Sequence, residues 1–276
     1  MHLRHTPAAL LLVAACTPAP KDAAPAAPQE VVFTATDYAF SGPDTIAPGV
    51  SSIRMVNHGA TFHHMILGRF DEGKTLQDLQ AFVQANPTGE PPFMTWRGAA
   101  GIVMPGDSTG ETVDLPAGNY VVMCFVNTPG DSVPHMMKGM MKEFVVTGEP
   151  HPAPMPAAEG EIHLSDFTFA LPPMTAGTHT FHLINDGPQT HEAQLVRLNE
   201  GATVDAFMAA LAPGATTPPP GVFVGGSGAL SSGLDNYWTV TLTPGTYVFV
   251  CFVPDRTDGM PHVMKGMMKE FTVAPS

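Results

Sequence analysis

The chain has 276 residues, 44% of them hydrophobic, with 29 Pro, 27 Gly and three Cys. That length suits two domains, and so much Pro and Gly favours short strands and tight turns over long helices. Twelve Lys and Arg against 25 Asp and Glu give a formal charge of −13. Such a surface repels phosphate backbones, which argues against nucleic acid as a partner and suits a cationic redox or metal-delivery protein.

The N-terminus reads as an export signal over residues 1–15, with Arg4 ahead of an apolar stretch from Ala8 to Ala15 that is too short to span a bilayer. Val13-Ala14-Ala15-Cys16 resembles the lipobox of bacterial lipoproteins. That resemblance implies cleavage before Cys16, lipidation of its thiol, and a protein held at the cell envelope by lipid alone, facing the periplasm or the exterior. Thr17 stands where an inner-membrane retention Asp would be, which points to the outer membrane. Residues 16–29 are a Pro/Ala-rich tether.

Two repeats follow, at 30–148 and 160–276, joined by a Pro/Ala-rich linker at 149–159. In the first repeat, strands are expected at 30–36, 51–57 and 64–69, a helix from Thr75 to Val83, then strands at 109–115, 119–126 and 141–147. In the second, strands at 160–169, 178–185 and 191–198 precede a helix from Thr203 to Leu211 and strands at 236–242, 246–253 and 268–273. About 115 residues with six or more strands suits an all-β antiparallel Greek-key sandwich with one short helix.

The repeats agree best where chemistry is concentrated. Gly118 to Val126 aligns with Gly245 to Val253, and Pro134 to Phe144 with Pro261 to Phe271. Upstream, Asn57-His58-Gly59 and His63 align with Asn185-Asp186-Gly187 and His191, and Asp37…Phe40 with Asp166…Phe169. Each repeat therefore offers the same donors: His63, Cys124, His135 and Met140 in the first, His191, Cys251, His262 and Met267 in the second. Cys to His is eleven residues and His to Met five in both. A lone thiol per domain is at risk of oxidation in an envelope protein, and a metal would account for it. Two imidazoles, a thiolate and a thioether are the donor set of a blue-copper centre, in which a weak axial Met tunes the potential.

The order of these residues resembles the cupredoxins: an Asn-x-Gly turn leading to a His, a Gly-x-Tyr strand ending in Cys, then His and Gly-Met. The resemblance implies two tandem cupredoxin-like sandwiches, one copper per domain with at least one site filled, and one-electron transfer. Tyr120 and Tyr247 resemble the tyrosine that braces a Greek-key corner. Ten residues separate Cys124 from His135, against two to four in small carriers, but comparable to the copper nitrite reductases. Met141 and Met268 are alternatives to Met140 and Met267 as axial donors.

Catalysis at a second copper centre is not expected. No His adjoins Cys124 or Cys251, there is no His-x-His pair, and the adjacent His63 and His64 point to opposite faces of a strand. His58 and His64, which align with Asp186 and Glu192, are expected to be solvated, and Lys138 and Lys142 to be ordinary strand residues facing water. Copper storage or delivery, and a copper-free binding or structural module, are the alternatives to electron transfer.

Overall fold

A computed structural model describes residues 26–274 except 88, 129, 213, 214 and 216, so the signal peptide, Cys16 and most of the tether lie outside the described residues. In the first half the strands are β1 (Gln29–Thr36), β2 (Ala39–Ser41), β3 (Thr45–Ile46), β4 (Gly49–Asn57), β5 (His63–Phe70), β6 (Met94–Val103), β7 (Ser108–Leu115), β8 (Gly118–Met123) and β9 (Met141–Val146). In the second they are β10 (Gly160–Ser165), β11 (Thr168–Ala170), β12 (Gly177–Asn185), β13 (His191–Leu198), β14 (Gly221–Leu230), β15 (Asp235–Leu242), β16 (Gly245–Val250) and β17 (Met268–Val273). Both helices form where the apolar spacing places them. Helix α1 (Leu76–Ala85) starts on a capping box in which Thr75 and Asp78 satisfy each other's backbone, and α2 (Val204–Ala210) starts on Thr203.

Alternation along the strands builds the cores. Val31, Phe33 and Ala35 of β1 and Ile53 and Met55 of β4 face Met65, Leu67, Val122 and Phe144 of the opposing sheet. The second half repeats this with Ile162, Leu164, Leu183 and Trp238 against Leu195 and Phe249. Tyr120 donates to the Pro116 carbonyl at 2.7 Å, and Tyr247 to that of Thr243 at 3.0 Å, so both tyrosines tie down a corner. The all-β, two-sandwich expectation holds. The sheets are mixed rather than purely antiparallel: β1 runs parallel to β4 and β10 to β12. Between β1 and β4 the chain crosses to the opposite sheet to form β3 and so returns in the same direction.

The two halves are fused. One sheet runs β11-β10-β12-β15-β7-β4-β1-β2, the other β17-β16-β13-β14-β6-β5-β8-β9-β3. Both orders are palindromes of equivalent strands, apart from the extra β3, and describe a pseudo-twofold axis between β15/β7 and β14/β6. Across it Ser227 pairs with Ala100 and Trp238 with Glu111. The Ile102 amide donates to the buried side chain of Gln194 at 2.7 Å.

Strands β6 and β14 are absent from the sequence reading because their glycines resemble turns. Two of these glycines are required because backbone from the other half lies against them. A Cβ at Gly101 would meet the Gly225 backbone at 2.7 Å, and one at Gly228 the Gly98 carbonyl at 2.7 Å. Residues 149–159 form no helix or strand. His151 fastens that segment to the first half, through its amide to Pro48 and its ring to Ala27.

Candidate metal centre

The early histidine is delivered by a built turn. Buried Asn57 donates to the carbonyls of Thr61 and Val103 and accepts from the Gly59 amide, so the chain leaves β4 and re-enters as β5 with His63 as its first residue. Gly59 has no room for a side chain: its Cβ would lie 2.6 Å from His63 Nε2 and 2.4 Å from Asp37. Asn185 and Gly187 repeat the arrangement ahead of His191.

The long Cys–His connection is shortened by its own hydrogen bonds. The expected strand 119–126 ends at Met123, because the Cys124 amide turns away to the Met140 carbonyl at 3.2 Å. The His135 amide then bonds Val126 at 2.9 Å and that of Met136 bonds Cys124 at 2.7 Å. A bridge between Asn127 and Pro134 closes the intervening residues into a side loop. His135 opens a 3-10 turn (His135–Lys138) that ends on Gly139 at φ +100°, a left-handed conformation that favours glycine. Residues Cys251 to Met267 repeat each of these contacts, with the bridge at Pro254 and Pro261.

Three donors converge in each half, all fully buried. In the first, His63 Nδ1 lies 3.1 Å from His135 Nδ1, and Cys124 Sγ lies 3.8 Å and 3.6 Å from them. The centre of a triangle with these edges is about 2.0 Å from every donor, a metal–nitrogen distance and just inside the ~2.3 Å of metal–sulfur. In the second, His191 Nδ1 and His262 Nδ1 are 3.0 Å apart and Cys251 Sγ is 3.5 Å from His262 Nδ1. This His2Cys set is that of a copper electron-transfer centre. Met140 and Met267 are fully buried in the same cores as Cys124 and Cys251. Met141 and Met268 pack into different clusters on the other side of the sheet.

Residues behind the donors set their orientation. Asp37 accepts from His63 Nε2 at 2.8 Å, and Asp166 from His191 Nε2 at 2.6 Å, which leaves each Nδ1 lone pair facing the cysteine. Sequence reasoning passed over both aspartates as site residues, although their recurrence in the two repeats was the available signal. His135 Nε2 is 2.9 Å from Thr128 Oγ1, which also meets the Tyr38 hydroxyl, whereas His262 Nε2 has no partner among the described residues. Lys138 and Lys265 lie in the 3-10 turns rather than on strands, over the rings of Tyr38 and Phe167.

His64 and Glu192 are not solvated. Both are at least 95% buried, and each holds the chain just beyond the cysteine: the Phe125 amide donates to His64 Nε2 at 2.6 Å and the Phe252 amide to Glu192 at 2.9 Å. They do point away from His63 and His191, but that side of the sheet is covered by α1 and the other half. His58 is exposed, as expected.

Burial pushes the Cys124 thiol up to about 12 and Cys251 well above the ordinary thiol range. Burial likewise holds His135 and His262 down to about 4. At neutral pH each centre thus presents neutral imidazoles and a protonated thiol, and a metal ion held there would displace the thiol proton.

No family model and no curated protein matches the chain. Solved structures similar to it include the dithionite-reduced auracyanin of Roseiflexus castenholzii, 24% identical over 42% of this chain and 96% of that one, at a TM-score of 0.30. Others are the copper-containing nitrite reductase of Thermus scotoductus SA-01 (14% identical, 90% of this chain and 62% of that one, TM-score 0.27) and a multicopper oxidase (17%, 89% and 88%, TM-score 0.26). The chain itself is a fused pair of β-sandwiches, with one buried His/Cys/His centre in each.

Proposed function

We propose that this is a copper protein of the bacterial envelope that carries a type 1-like copper in each half and passes single electrons to and from a redox partner. The observation that carries the reading is the convergence of two Nδ1 atoms and one Sγ at full burial, with a methionine in the same core, in both halves. Copper supplies the one-electron couple. The thiolate would favour Cu(I), the imidazoles would suit both oxidation states, and Met140 and Met267 are the thioethers this packing places to join them. Backbone bonds of Cys124, His135 and Met140 to one another, and the aspartates on His63 and His191, hold the donors in place whether or not an electron is present. The Val-Ala-Ala-Cys16 segment supports a lipid anchor, and among the described residues no helix is long and apolar enough to cross a membrane.

Addition of Cu(II) tests this. An intense thiolate-to-copper charge-transfer band is expected, lost in the Cys124→Ser, Cys251→Ser double variant and reduced by about half in each single variant. Exposed Met137 and Met264, within the histidine turns, favour storage or delivery as the second reading, since soft sulfur at the surface suits Cu(I) entry. Cu(I) binding without the band would decide for it. Absence of stoichiometric copper would leave a metal-free module.

A further inference from the structure

A cavity of about 750 Å³ lies on the pseudo-twofold axis, between the two centres. Its walls come in equivalent pairs from the two halves: Phe125 and Phe252, His64 and Glu192, Trp96 and Phe223. Phe125 and Phe252 each follow a metal-centre cysteine directly, and His64 and Glu192 each follow a metal-centre histidine. Whatever occupies the cavity therefore touches side chains one residue from both centres.

The walls define the occupant. Trp96 and Phe125 meet edge to face at 6.0 Å, and Phe223 and Phe252 at 6.4 Å, so flat aromatic surface is offered from both halves. The volume falls in the range of small-molecule sites. Polar groups stand in the wall at two pseudo-equivalent positions. His64 accepts the Phe125 amide on Nε2, so its proton is on Nδ1, which is buried without a partner among the described residues. A buried donor without an acceptor is left unsatisfied, and a ligand oxygen that reached it would satisfy it. Glu192 faces the cavity from the other half with its carboxyl held by Phe252 and Gln194.

We propose that this cavity binds a para-quinone and its hydroquinone, and that the bound hydroquinone reduces both centres. The ring stacks among the aromatic walls with one oxygen towards each half. The two-electron donor fits the pair of one-electron acceptors: one hydroquinone loses two electrons and two protons and leaves as quinone. Each oxidised copper gains one electron, and both protons pass to water at the cavity mouth. This step rests on the copper reading above, whereas binding of the quinone does not.

The test uses tetramethyl-1,4-benzoquinone, which has no free ring position for thiol addition. Titrated into metal-free full-length protein, it is expected to quench Trp96 fluorescence saturably at one quinone per chain. The quench disappears in Trp96→Phe, where Trp238, outside the cavity, still reports. Filling the cavity by Ala229→Phe, or from α1 by Val83→Phe, weakens binding at least about tenfold, with the copper band as the check on folding. In copper-loaded protein, the tetramethylhydroquinone is expected to bleach both centres, and the filling variants to slow this by a similar factor. A protein that shows the copper band but no saturable quench, or whose bleaching is unchanged by both fillings, overturns the proposal and leaves the copper reading standing. Quenching without any copper band overturns the electron step, and with it the copper reading.

Discussion

Glu111→Gln is expected to stabilise the metal-free protein at neutral pH and to remove part of its pH dependence. Glu111 lies on β7 where the halves meet, and is 2% exposed. Its Oε2 accepts from the Ala99 amide at 2.7 Å and from Asn236 of the other half at 3.0 Å, and Oε1 is buried without a partner. Burial pushes its carboxyl from 4.5 up to about 8 against the smaller opposing pull of these hydrogen bonds. The folded protein therefore keeps a proton that the unfolded chain releases above pH 4.5. With the folded value above the unfolded one, the contribution is complete below pH 4.5 and drains away as pH rises to 8. A shift of about 3.5 units at ~1.36 kcal/mol each sets a ceiling of about 5 kcal/mol. Gln keeps the acceptor oxygen and never ionises. Urea denaturation of both proteins between pH 4.5 and 8, followed by circular dichroism, should give curves that coincide at the acid end and diverge towards pH 8 with the variant more stable. A stability difference that stays flat across that range would refute a neutral buried carboxyl at the interface.

Asp37→Asn removes the charge that orients His63 and is expected to weaken copper at the first centre by about 10–100-fold, measured by competition titration in a Cys251→Ser background. Gly228→Ala places a Cβ 2.7 Å from the Gly98 carbonyl of the other half. It should cost about 1–3 kcal/mol in chemical denaturation, with the backbone rather than a side chain being asked to move. Burial pushes the Glu192 carboxyl up to about 7, so at pH 8 Glu192→Gln keeps the bond to Phe252 but removes a carboxylate that favours the more positive, oxidised metal beside Cys251. The potential of the second centre should rise by on the order of 60 mV, a tenfold change for one electron, while that of the first stays put in spectroelectrochemical titration.

Much of the fold was legible because half-buried strands announce themselves by alternation, as Val31, Phe33 and Ala35 do along β1. The helices were legible from Thr75 and Thr203, whose side chains cap the first turns. The fusion of the halves was not. The strands that make it, β6 and β14, carry Gly98, Gly101, Gly225, Gly226 and Gly228, and a glycine-rich stretch in one sequence reads as turn. What selects glycine at Gly101 and Gly228 is the approach of backbone from more than a hundred residues away, and at Gly98, Gly225 and Gly226 a left-handed backbone in close contact with other strands, and no local pattern encodes either. A Pro/Ala-rich linker at 149–159 joins the two repeats in sequence. The continuous hydrogen-bonded sheets tie the halves together in space.

The site divides along the same line. Its donors were legible because type, order and spacing recur in both repeats, while the residues that make the donors work lie one contact further out. A ten-residue excursion separates Cys124 from His135 along the chain. The Val126–His135 and Cys124–Met136 backbone bonds bring them back, and backbone bonds leave no trace in side-chain identity. His64 and Glu192 show the limit most directly. Alternation turns them away from the metal donors, but the expectation that His64 is solvated, drawn from its alignment with the unlike Glu192, does not hold. The helices and the packing of the two halves give that face its cover, and only then does a substitution as unlike as His for Glu become intelligible. Both hold the same amide beyond the cysteine, as neutral imidazole in one half and carboxyl in the other, so the repeats preserve the hydrogen bond while placing different electrostatics beside two otherwise matching centres.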